Sequence, residues 1–84
     1  MKKLESIIKL LADIINDRTV PRNIRSSIEE AKKSLEDEKS DMDVRLSGAI
    51  SYLDEITNDP NMPMYTRTQI WNIVSMLETI KKEL

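Results

Sequence analysis

The sequence predicts an all-α protein: a four-helix domain spanning 1–84, made of two tandem, internally repeated helical hairpins, 1–42 and 43–84. Three observations carry this. Apolar residues recur at three- and four-residue spacing in four segments, which places them on one stripe of a helix. Only one glycine occurs in 84 residues, and sheet proteins need more than that in their turns. The chain also matches itself at an offset of 42, in the manner of structural repeats.

The first helix is read from Leu4, Ile7, Ile8, Leu11, Ile14 and Ile15, and the second from Ile24, Ile28, Ala31 and Leu35. In the second half, Leu46, Ala49, Ile50, Leu53 and Ile56 repeat the first stripe, and Ile70, Ile73, Val74, Leu77 and Ile80 repeat the second. Between the halves 12 positions are identical. Among them are pairs that helical composition alone does not explain: Asn16-Asp17 with Asn58-Asp59, Pro21 with Pro63, and Arg25 with Arg67.

Those shared residues mark boundaries. Asn16-Asp17 and Asn58-Asp59 end the preceding helix, because short polar side chains bond to local backbone and favour turns. Thr19 and Asn61 each stand two residues before a proline and are expected to cap the helix that follows. Pro21 and Pro63 then fall in its first turn, where a missing amide hydrogen costs little. Between the hairpins, Ser40 with Asp43 resembles a capping box. Arg25 and Arg67 are each expected to tie back to their own turn by a charge-assisted bond. Gly48 in mid-helix implies a close helix crossing, since glycine there costs up to about 1 kcal/mol relative to alanine; its repeat partner is the small Ser6.

Composition narrows the chemistry. The chain has no cysteine and no histidine, so disulfides, thiolate nucleophiles, the commonest general base and the commonest transition-metal ligand are all excluded. It contains no glycine-rich phosphate loop, and no metal or cofactor is expected. Asp54, Glu55 and Asp59 are too divergent for a compact cation site, because adjacent helical residues are about 100° apart. No enzymatic role is expected. No apolar run is long enough to span a bilayer and no leader opens the chain, so a cytoplasmic, soluble protein without membrane association is expected. Net charge is −2 and the pI near 5.1, which weighs against broad nucleic-acid binding.

Two surfaces stand out. Tyr52, Met62, Met64, Tyr65, Trp71 and Met76 give the second hairpin more aromatic and methionine surface than a four-helix core needs, pointing to a protein interface, most simply a homodimer. The plainer reading of "NDPNMP" is a turn, with partner contact by the same loop as the alternative. Arg18, Arg22, Arg25, Lys32 and Lys33 form a candidate anion or nucleic-acid patch around the start of the second helix, where free amides already favour an anion. Against it stand the interleaved Asp17, Glu29 and Glu30.

The strings "VPRNIR" at 20–25, "VRLSGAISYLDEI" at 44–56 and "NDPNMPMYTRTQIWNIVSMLE" at 58–78 resemble a small uncharacterised archaeal protein family over nearly the whole chain. The resemblance implies an all-helical fold and carries no activity, ligand or catalytic residue. A weaker similarity is to helical repeats of the HEAT and armadillo kind, whose period is close to 42 and whose helices often open with a Val-Arg pair like Val44-Arg45.

The sequence thus supports two functional expectations: a non-enzymatic interaction module that self-associates through its second hairpin, or a small nucleic-acid-associated protein using the arginines at 18–25.

Overall fold

A computed structural model describes residues 2–84. It contains four α-helices, α1 (Lys2–Ile15), α2 (Arg22–Glu36), α3 (Met42–Ile56) and α4 (Met64–Lys82), with no strand among the described residues. The all-α expectation holds.

The apolar stripes meet in a single core. Leu11, Ile24, Ile28, Leu35, Leu46, Leu53, Ile70 and Leu77 have no solvent-accessible surface. They come from all four helices, which is how amphipathic helices remove their stripes from water. Successive helices pack on one another, and α4 returns onto α1, closing a ring in place of an open stack. The α1–α2 and α3–α4 turns lie at one end of the bundle, where the Asn23 side-chain amide donates to the Asp59 carboxylate at 3.0 Å. The α2–α3 turn and the chain ends lie at the other, where Lys3 pairs with Glu83.

All three connections are built alike, around an aspartate that accepts the backbone N–H two residues on: Thr19 to Asp17 at 2.9 Å, Lys39 to Asp37 at 3.1 Å and Asn61 to Asp59 at 2.8 Å. These are Asx turns. The first and third share their turn backbone bonds, with a Val20 amide donating to the Asp17 carbonyl and a Met62 amide to that of Asp59.

This geometry corrects three expected caps. Thr19 does not cap α2: its hydroxyl donates to Asp17 at 2.7 Å, a carboxylate being the stronger local acceptor. Nor does Asn61 cap α4: its backbone N–H donates to the Asp59 carboxylate, and α4 has no side-chain cap bond. Pro21 and Pro63 themselves occupy the boundary, extended at ψ 147° and 143°, and their carbonyls take the first helical bonds, from Arg25 and Arg67. Nor is Ser40–Asp43 a capping box, because Ser40 donates its hydroxyl to Asp37 at 2.8 Å and Asp41 stands at the start of α3.

The arginine ties divide. Arg67 donates through a terminal nitrogen to the Asp59 carbonyl at 2.8 Å, as expected, whereas Arg25 makes no such bond and only lowers the Asp17 pKa through its charge; the buried Nε of each arginine has no partner. A third arginine, unremarked in sequence for this role, fastens the far end: Arg45, from the first turn of α3, donates through both Nε and a terminal nitrogen to the Leu35 carbonyl near the end of α2. A cation there satisfies an orphan carbonyl and complements the helix dipole.

Gly48 marks the close crossing. A Cβ at that position would stand 2.6 Å from the Ser34 hydroxyl, which donates to the Arg45 carbonyl at 2.9 Å. Gly48→Ala therefore sets a helix-propensity gain of up to about 1 kcal/mol against displacement of Ser34 and loss of its hydrogen bond, worth about 1 kcal/mol. In a Ser34→Ala background only the gain remains. Urea unfolding of the four-member cycle should show Gly48→Ala stabilising in the alanine background and neutral or destabilising alone; additive effects would mean that the crossing is not tight.

Candidate functional site

Two separate ledges of apolar side chains run along the outside of α4. Its inward arc is filled by Ile70, Ile73, Val74, Leu77 and Ile80, all buried. At about 100° per residue, Met64 and Trp71, seven apart, share one line on the outer surface, and Tyr65 and Met76, eleven apart, share another on the flank toward α1. Met64 and Trp71 are 66% and 54% exposed, Tyr65 73% and Met76 38%.

The remaining two interface candidates go elsewhere. Met62 is a correction: it is 4% exposed and belongs to the core. Its repeat partner Val20 is buried in the same way, so each long turn drops one apolar side chain into the bundle. An apolar residue at the same turn position in both halves was the available signal. Tyr52 is exposed on α3, but it lines a cleft against α2 with Arg45, Gly48 and Lys33, away from the α4 ledges.

The α1 flank of α4 borders an open groove. Two adjoining cavities lie between α1 and α4, one of about 350 Å³ against Ile7, Met76 and Ile80, the other of about 230 Å³ against Leu10, Ile14, Ile73 and Met76. Met76 lines both. Leu10, 40% exposed, is the groove residue that sequence reasoning missed: it lies off the main stripe of α1, and nothing local to it marks a groove.

The repeat explains why α2 and α3 pack more closely than α1 and α4. At equivalent positions, α2–α3 has Ala31, Ser34, Gly48 and Ala49 where α1–α4 has Ile73, Met76, Ser6 and Ile7. Helix separation follows the size of the side chains at the contact. Small residues let α2 and α3 approach; the larger set holds α1 and α4 apart.

The basic candidates are spread along α2, not gathered at its start. Arg18 and Arg22 are exposed at the α1–α2 turn and Arg25 is half-buried. Lys32 and Lys33 lie about 15 Å further along α2, paired with Glu36 at 3.2 Å and Glu30 at 3.7 Å. Among the described residues no three acidic side chains converge as a metal site would require, and no helix is long and apolar enough to cross a membrane.

One carboxylate is held below its ordinary range. The Thr19 hydroxyl, then its amide, and more weakly the Arg25 guanidinium hold Asp17 below the ordinary value of 3.8. A depressed carboxylate stabilises the fold at pH values above its unfolded pKa, and that contribution is lost as pH falls through the lower folded pKa. The window lies below about pH 4. Carboxyl NMR titration should find Asp17 titrating below this value, and Thr19→Val should move it back up; an unchanged pKa would remove the hydroxyl as the main cause.

The fold and sequence together have close counterparts. The model of the uncharacterised protein family UPF0147 matches residues 1–80. The chain belongs to that family. A UPF0147 protein of Methanocaldococcus jannaschii, MJ1419, is 55% identical over 78 residues, covering 93% of this chain and 84% of the relative. One from Sulfurisphaera tokodaii is 49% identical over 79 residues, covering 94% and 89%. Two crystal structures share the architecture. A protein of unknown function, MMP1188, superposes with TM-score 0.91 at 56% identity, over 94% of this chain and 90% of that one. A UPF0147 protein from Thermoplasma acidophilum superposes with TM-score 0.89 at 35% identity, over 94% and 93%. The expected archaeal, all-helical family is thus the one found, and its function is unknown.

Proposed function

We propose that this UPF0147 protein is a non-enzymatic, cytoplasmic interaction module that self-associates through α4, on a single domain built from tandem units 1–42 and 43–84. The observation that carries this reading is the exposure of Met64, Tyr65, Trp71 and Met76 on a helix whose core-facing arc is already filled. The domain does not need them for its own core, and large aromatics and methionines are what protein interfaces use. The absence of histidine and cysteine from the sequence supports a binding role over catalysis, and the ion-paired lysines of α2 weigh against nucleic acid.

Light scattering on the purified chain across the micromolar range tests it. The expected mass is twice that of the 9.7 kDa chain, falling to one chain in the triple variant Met64→Glu, Trp71→Glu, Met76→Glu while helical circular dichroism is retained. A single-chain mass for the unsubstituted protein at every concentration would end the self-association reading.

A further inference from the structure

We propose that α1 is a hinged lid, which lifts from the bundle as a unit about residues 16–19 while α2, α3 and α4 stay folded together, and so bares the apolar faces of α2 and α4. Lifting of this kind is independent of self-association through α4.

The side-chain hydrogen bonds that cross between elements all fall outside α1. Ser34 donates to the Arg45 carbonyl and Arg45 to the Leu35 carbonyl, locking α2 to α3. Asn23, in the first turn of α2, donates to Asp59 in the α3–α4 turn, and Arg67 donates to the carbonyl of the same aspartate, holding α4 to that turn. Directional bonds thus join α2, α3 and α4. Among the described residues α1 makes no such bond to another element, and its one ion pair, Lys3 with Glu83 at 3.7 Å, has both side chains more than half exposed, where a pair contributes little.

The repeat isolates the difference. Arg25 stands where Arg67 does, yet only Arg67 donates to its turn carbonyl. Asp17 stands where Asp59 does, yet its carboxylate accepts only from Thr19, inside its own turn. The α3–α4 turn is therefore tied to α2 and to α4, and the α1–α2 turn only to itself. Val20 is buried, which fixes the far end of that turn to the core and leaves 16–19 as the hinge.

α1 is also the weaker of the two terminal helices. It has 14 residues and buries four side chains, against 19 and six for α4. Its charges oppose the helix dipole at both ends: Lys2 and Lys3 outnumber Glu5 in the first turn, and Asp13 stands in a last turn with no basic residue. Lys81 and Lys82 instead complement the last turn of α4, as cations there do. What holds α1 down is apolar contact. Leu4 and Ile8 border one hollow with Leu35, Ile7 another with Ile80, and Ile14 a third with Ile73, and these partners are what lifting exposes to water.

Native-state hydrogen exchange on the full chain, in rising sub-denaturing urea, tests this. Amides of α1 such as those of Leu11 and Ala12 are expected to exchange at least about tenfold faster than those of Ala49 and Leu53 in α3, after correction for intrinsic rates. Their exchange should also depend less on urea, because lifting one helix exposes less surface than global unfolding. A common rate and urea dependence for all four helices, or release of α4 before α1, overturns the proposal. Trypsin gives a second readout: Lys9 and Lys33 are both exposed within helices, so cutting at either requires that its helix open. Cleavage after Lys9 should precede cleavage after Lys33, and simultaneous cleavage overturns the lid.

Discussion

Leu53→Ala is expected to lower the unfolding free energy by about 2–5 kcal/mol, the range for deleting a fully buried leucine when the surroundings relax only partly. Leu53 has no accessible surface and sits on the stripe of α3 between Ala49 and Ile56, both also in the core. A chain of this size has about 4–13 kcal/mol to lose in total, at 0.05–0.15 kcal/mol per residue. The single change therefore removes a large share of it and should lower Tm by roughly 8–40 °C, at about 4–8 °C per kcal/mol. The same substitution at Leu10, on the groove rim, should cost below about 1 kcal/mol. Comparable losses at the two sites, measured by urea unfolding, would contradict the placement of Leu10 outside the core.

Ala31→Leu is expected to cost about 1–3 kcal/mol by overpacking. Ala31 is fully buried on α2. The antiparallel register that sets Ser34 beside Gly48 and Leu35 beside Arg45 brings Ala31 level with Ala49, so added carbons have nowhere to go without separating the helices. The informative control is its repeat equivalent. Ile73→Leu keeps volume beside the less closely packed seam and should cost less than about 1.5 kcal/mol. Were Ala31→Leu harmless, the close approach of α2 and α3 would be wrong, and with it the account of why they pack more closely than α1 and α4.

Four helices, their order and the positions of their turns were legible in the sequence because each rests on a local rule. Spacing of isoleucine and leucine set the stripes, and the core used nearly all of them. The aspartates of the turns were recognised as turn residues, although their priority over Thr19, Asn61 and Ser40 as hydrogen-bond partners was not. That competition is decided by which acceptor the bent backbone brings within reach, and this depends on the extended prolines that follow.

Periodicity left the outer methionines unsorted. Met62 and Met64 are two residues apart with the same side chain, yet one is core and the other among the most exposed apolar residues. The turn decides this by folding Met62 under the bundle end as it does Val20. Trp71 adjoins the apolar arc of α4, and only the positions of α1 and α3 determine that the arc closes without it.

By itself, then, the sequence determined four helices, the positions of their turns, membership of an all-helical family and the absence of histidine and cysteine chemistry, since these depend on residue identity and short-range spacing. The tertiary structure alone decided which apolar side chains remain outside and that α2 and α3 pack more closely than α1 and α4. Burial and helix separation are set by residues far apart in the chain, through the summed volumes of Ala31, Ser34, Gly48 and Ala49 on one side and Ile7, Ile73 and Met76 on the other.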